Sequence, residues 1–176
     1  EQAQFDAWLK KLEQAELIAF DTETTSLDPQ QAQVVGVSFA VSAHEAAYVP
    51  LAHSYMGVPA QLDRDAVLRA LKPILEDANK PKVGHNLKYD MIVLRRAGVM
   101  LRGFAVPAGP DDPLGAGDTM IASYLIDPSR SSHALEPLGL ALLGRTKSSI
   151  SELIGRGKDQ KQFDSVPVDL ATPYAA

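Results

Sequence analysis

Phe5, Trp8, Leu9 and Leu12 recur at helical spacing, which predicts an amphipathic helix over residues 5–15 along one edge of a domain. Leu17-Ile18-Ala19-Phe20 is an apolar run of buried-strand type that stops abruptly at the polar string Asp21-Thr22-Glu23-Thr24-Thr25-Ser26. Residues 34–41 and 46–51 read as two further strands joined by the turn Ser42-Ala43-His44-Glu45, so a three-stranded antiparallel meander is the simplest arrangement. Val67, Leu68, Leu71, Ile74 and Leu75 set a helix over 65–77, which Pro73 is expected to kink or restart. Lys82-Val83-Gly84 is a short strand. A helix over 87–97 follows, with Leu87, Met91 and Leu94 on one face and Gly98 as its C-terminal stop.

The stretch 103–117, rich in proline and glycine, reads as a surface loop insertion. Asp118 caps a helix to about residue 126, and 133–143 forms another apolar segment interrupted by Pro137. Residues 155–164, with Lys158 and Lys161, read as an exposed loop, and Pro173 stands where a helix could begin. No repeat or linker divides the chain, so a single domain over 1–176 is expected. The start at Glu1 and the end at Tyr174-Ala175-Ala176, which reads as the opening turn of a helix, give the look of an excised piece.

With 45% hydrophobic and 22% charged residues, a chain of this length can bury one substantial core. No stretch approaches the roughly 18 unbroken apolar residues of a membrane span, and no basic-then-apolar leader opens the chain, so a soluble, unexported protein is expected. The absence of cysteine excludes disulfides and thiolate metal sites and turns attention to carboxylates. A net charge of −5 argues against a broad phosphate-binding face. It does not exclude a nucleic-acid substrate, because bound divalent cations reverse the local sign that a phosphate meets.

Asp21 and Glu23 stand one residue apart at a strand end, so in extended geometry their side chains leave on the same face. Two carboxylates at about 4 Å repel by on the order of 4 kcal/mol at an effective dielectric of 20, which a divalent cation would relieve. Hard oxygen donors favour Mg²⁺ or Mn²⁺. In isolation Asp-Thr-Glu-Thr is more often a polar turn. The second cluster, Gly84-His85-Asn86-Leu87-Lys88-Tyr89-Asp90, changes the weight, because Asp90 lies about one turn beyond a strand-helix junction and both clusters can meet at one sheet end.

Residues 20–28 resemble the first exonuclease motif of the DNA polymerase I family, and Gly84 to Asp90 resemble its second. The resemblance continues through Asp118-Thr119-Met120, Ser123-Tyr124-Leu125, Gly155-Arg156-Gly157-Lys158 and Tyr174-Ala175-Ala176. It implies an α/β, RNase H-like fold, in which a mixed central sheet with an antiparallel meander is flanked by helices. It also implies the tyrosine-containing branch of the DEDD exonucleases. By the same resemblance, Asp21 and Glu23 are ligands of a first divalent metal, Mg²⁺ or Mn²⁺ with Zn²⁺ as a further option, and Asp21 bridges to a second whose water shell Asp90 holds. Tyr174 orients the attacking water with Glu23. Thr24 and Leu27 hold the terminal nucleotide and Asn86 lies near the substrate backbone, although on pattern alone Leu27 would be an ordinary core leucine.

The implied reaction is two-metal removal of nucleoside 5′-monophosphates from the 3′ end of single-stranded or frayed DNA. In the family this proofreads for a polymerase domain of the same chain, in a monomer of the bacterial cytoplasm and nucleoid. The family's fourth acid falls four residues after Tyr174, beyond Ala176, which leaves the implied metal site incomplete and predicts weak activity for the chain as it stands. An RNase D-like exoribonuclease and a non-catalytic module guiding single-stranded DNA are the competing readings. His85 reads as structural; His44, His53 and His133 lack zinc-ligand spacing, and Ser148, Ser149 and Ser151 lack a nucleophile elbow.

Overall fold

A computed structural model describes residues 2–104 and 117–176. Its sheet has the order β3-β2-β1-β4, with β1 (Ile18–Thr24), β2 (Val34–Ser42) and β3 (Glu45–Pro50) forming the expected antiparallel meander and β4 (Lys82–Val83) running parallel to β1. Seven helices accompany it among the described residues: α1 (Gln2–Gln14), α2 (Arg64–Glu76), α3 (Leu87–Arg96), α4 (Thr119–Ile126), α5 (Leu135–Leu143), α6 (Ile150–Ile154) and α7 (Val168–Ala175). Residues 105–116 of the expected insertion lie outside the described residues.

The period-2 alternation of β1 divides the molecule. Ile18, Phe20 and Thr22 point to one face, where Phe20 lies opposite Phe39 with ring centroids 6.0 Å apart and Thr22 lies opposite Val37. This face carries the main core, to which α2 contributes Val67, Leu68, Leu71, Ile74 and Leu75 and α3 contributes Leu87, Val93 and Leu94. Each fully buried aliphatic side chain there contributes about 1.5–3 kcal/mol. The opposite face carries a smaller core of Val35, Tyr48, Ile154, Phe163, Val166 and Ala171. His53 ties that core to the sheet: its Nδ1 lies 2.8 Å from the Val166 carbonyl and must donate there, so its Nε2 accepts from the Tyr48 hydroxyl at 2.7 Å.

Several expectations are corrected. β1 runs on through the acids to Thr24, because Asp21, Thr22 and Glu23 pair with Ser38, Val37 and Gly36 of β2 and ladder pairing overrides their polarity. Pro73 does not interrupt α2: it and Arg69, whose carbonyl loses its partner, both lie on the solvent side. Met91 is exposed, and Asp90 and Val93 take the buried positions beside Leu87 and Leu94. Residues 155–164 are not wholly exposed, since Phe163 is buried in the smaller core. Pro173 lies inside α7, so Tyr174 and Ala175 form the last turn of that helix rather than its first. The short helix α6 was not foreseen.

Asp118 joins two helix starts. One carboxylate oxygen accepts from the amides of Asn86, at the head of α3, and of Met120 in α4, and the other accepts from Leu87 at 2.8 Å. It therefore caps its own helix, as expected, and also pins the junction that precedes Asp90. Asp118→Ala is expected to lower the free energy of unfolding by about 2 kcal/mol, because it leaves amides of both helices without a partner; urea unfolding against the parent chain measures this.

Candidate active site

Asp21 and Glu23 lie on the face of β1 opposite the main core, and the residues beside them are small. Ala19 pairs with Ala40, Asp21 with Ser38 and Glu23 with Gly36, while Ala46 follows on β3. The result is a trough along the sheet. Its open part is lined by Asp21, Ser38, Ala40, His85, Lys147 and Tyr174, with Leu135 and Ile150 adding apolar wall. Gly36 is required by space: a Cβ there would stand 2.1 Å from the Tyr48 hydroxyl oxygen, so any side chain would displace the tyrosine that backs Glu23. Gly84 answers a similar demand at the second cluster, where a Cβ would stand 2.8 Å from the Phe20 carbonyl oxygen and against Leu87.

Asp90 arrives from α3, on the buried side of that helix and only 2% exposed. One of its carboxylate oxygens accepts from the Thr22 amide at 3.0 Å and from the Thr22 hydroxyl at 2.5 Å. The residue between the two strand acids thus holds the third. Asn86, in left-handed backbone with φ 63°, turns the chain from β4 into α3 and leaves its side chain off the helix cap.

The three carboxylates perturb one another. Glu23 is pushed up to about 8, first by burial and then by Asp21, with Lys147 opposing and Asp90 adding. Asp90 is pushed up to about 7 by burial and then by Asp21, against the hydrogen bonds from Thr22. Asp21 is also raised, by the protein crowded around its carboxyl, although one edge of the residue is open in the trough; Lys147 opposes the rise. The Tyr174 phenol is raised by burial and by Glu23 and Asp21, which sets it among the acids and keeps it protonated at neutral pH.

Of the residues nominated from sequence, Asp21, Glu23, Asp90 and Tyr174 therefore share one electrostatic neighbourhood. Thr24 is engaged in a local set, with its hydroxyl 2.5 Å from the Tyr89 hydroxyl, which in turn donates to the Ser26 carbonyl. Leu27 is 88% exposed, so the core-leucine reading is excluded. His85 bonds through Nδ1 to the Thr119 hydroxyl at 2.9 Å. Sequence reasoning missed Thr22, Tyr48 and Lys147. Thr22 could have been found as the residue between the two acids, whereas nothing local marks Tyr48 or Lys147.

Among the described residues, no three His, Asp or Glu side chains converge as a ready-made metal centre. The chemistry of the donor set nonetheless fits a hard divalent cation. The nearby donors are carboxylates, and their shared burial and repulsion hold Glu23 and Asp90 near neutrality, a cost that a cation would remove.

The raised values of Glu23 and Asp90 add a pH dependence to the metal-free domain. Between the ordinary carboxylate range and about pH 8 these two groups bind more protons in the folded than in the unfolded state, so their contribution to stability falls as pH rises, while His53 and His85, shifted down by burial, act in the opposite direction. In EDTA, Glu23→Gln is expected to raise the thermal midpoint relative to the parent chain more at pH 8 than at pH 5. Adding Mg²⁺ is expected to narrow that difference; an equal effect of Glu23→Gln at both pH values would contradict the assignment.

A family model described as 3′-5′ exonuclease matches residues 1–176. DNA polymerase I of Pseudomonas aeruginosa is 57% identical over 100% of this chain and 18% of its own length, and that of Rhizobium leguminosarum is 39% identical over 97% and 17%. The chain thus spans about a fifth of the length of these relatives. Among solved structures, Brucella melitensis NrnC superposes with a TM-score of 0.63 at 23% identity, covering 93% of this chain and 66% of that one. Its form titled as having bound Mg²⁺ gives 0.54 at 24%, covering 77% and 57%. The mixed sheet flanked by helices is an RNase H-like arrangement. Full-length agreement with the family model, together with the polymerase relatives, assigns the chain to the 3′-5′ exonuclease family, in the form carried by DNA polymerase I.

Proposed function

We propose that the chain is a single exonuclease domain that removes nucleoside 5′-monophosphates, one at a time, from the 3′ end of single-stranded or frayed DNA. In the natural chain it would proofread for a polymerase domain. The observation that carries this reading is the trough: Asp21 and Glu23 on one face of β1, across small residues from Tyr174, with Asp90 held behind them by Thr22. Membership of a family described as 3′-5′ exonuclease supports the reaction class, and relatives five times longer that are named DNA polymerase I support a polymerase partner.

Asp21, Glu23 and Asp90 would hold divalent cations, Mg²⁺ or Mn²⁺, which supply positive charge to the oxygens of the phosphodiester under attack. The remaining work belongs to the chain. Tyr174 stays a neutral phenol, so it orients a water by hydrogen bonding and does not act as the base. Thr22 fixes the Asp90 carboxylate in one orientation. Leu27, which is exposed, would meet a terminal base, and Asn86, whose side chain does not cap α3, would lie near the strand backbone. Thr24, tied to Tyr89, would act on the terminal nucleotide through the shape of that local set.

The test is shortening of a 5′-labelled DNA single strand with Mg²⁺, with Mn²⁺ and with EDTA, using this chain and one continued through the fourth acid. Shortening from the 3′ end that requires metal and is far stronger in the longer chain supports the reading. In that longer chain, Asp21→Ala is expected to abolish cleavage and Tyr174→Phe to slow it by about 10²-fold. A matched RNA strand degraded faster than DNA would favour an exoribonuclease, and no cleavage by either chain would leave a strand-guiding module.

A further inference from the structure

Lys147 is the one lysine or arginine among the described residues that lines the trough. It lies in the segment between α5 and α6, exposed, and forms no ion pair with a described residue. Its ammonium nitrogen stands 4.5 Å from the centre of the Tyr174 ring, and its charge acts on both Asp21 and Glu23. An exposed lysine is ordinarily free to turn its head to water. This one is kept over an aromatic face, at the mouth of a site whose other charges are acidic. A phosphodiester entering that trough meets the acidic side chains of Asp21 and Glu136 in its lining, and Lys147 is the positively charged side chain of that lining with which it can pair.

We infer that Lys147 is a substrate-positioning residue: seated on Tyr174, its ammonium offsets Asp21 and Glu23 in the free domain and transfers to a backbone phosphate of a strand bound in the trough. The inference rests on the exonuclease reading for where the strand lies. It assigns to Lys147 a role in binding and aligning the strand, and none in the reacting bonds. It also links two events, since a strand that draws the ammonium away leaves Asp21 and Glu23 a stronger ligand field for a divalent cation.

The test measures single-stranded DNA affinity of the full chain in EDTA, where no cleavage occurs, over a series of salt concentrations. Lys147→Gln is compared with Lys147→Arg, which keeps the charge, and with Lys10→Gln on α1, which removes the same charge away from the trough. A single phosphate contact on a single strand contributes about 0.7 to the slope of log affinity against log salt. Lys147→Gln is expected to lower the slope by about that amount and to weaken binding several-fold, while Lys147→Arg and Lys10→Gln keep the parent slope. Titration with Mn²⁺ alone, followed by its paramagnetic resonance, is expected to show tighter binding in Lys147→Gln than in the parent. A slope unchanged by Lys147→Gln overturns the inference, even if Mn²⁺ binding tightens, because Lys147 is then a counter-charge without a phosphate contact; a parent chain that binds no strand overturns it too. The strand-shortening assay tests the exonuclease reading separately, so the two can fail independently.

Discussion

Everything in this domain depends on β1 serving two faces at once. Its alternation sends Ile18, Phe20 and Thr22 into the main core and Asp21 and Glu23 into the trough, within seven consecutive residues. A slip of one residue in the pairing of β1 with β2 would bury both acids in hydrocarbon and expose Phe20. The register is held by apolar contact on one face, where Phe20 meets Phe39, and by a fit of small residues on the other, where Glu23 meets Gly36. Stability and chemistry are thus two outcomes of one strand pairing.

Bringing Asp90 to the same place costs free energy, since it adds a third carboxyl to two that already repel. The fold offsets this with donors that hold Asp90 from the strand itself: the amide and hydroxyl of Thr22. Asp118 meanwhile anchors the start of α3, so that the helix enters with Asp90 turned inward. The acids remain strained towards their neutral forms, the condition that a divalent cation relieves.

The C-terminal segment completes the trough from the other side. Phe163, Val166 and Ala171 pack on the sheet through the smaller core, and the His53 bridge to Tyr48 and Val166 adds a polar tie. This seating carries Tyr174 to the acids, with Phe163 against one part of its ring and Lys147 above it. Tyr174 is therefore positioned by packing far from the acids in sequence, and burial first, with the acids adding to it, keeps its phenol protonated.

Much of the architecture was legible along the chain because it is local. The meander, the helical spacing of α2, the Asp118 cap and the same-face exit of Asp21 and Glu23 all follow from periodicities of a few residues, and the two acid clusters carried the family resemblance in their own spelling. What only the tertiary structure decided is what depends on distant partners. β1 extends past Phe20 because β2 offers a ladder, and α3 presents Asp90 in place of Met91 because Thr22 receives it. Pro173 ends up inside α7 because Ala171, Tyr174 and Ala175 hold the helix against the smaller core on both sides of it. The charge above Tyr174 comes from a lysine in an unremarkable loop. The division is physical: dihedral preference and side-chain period act within a few residues, whereas burial, repulsion and hydrogen-bond partnership act between segments that only folding brings together.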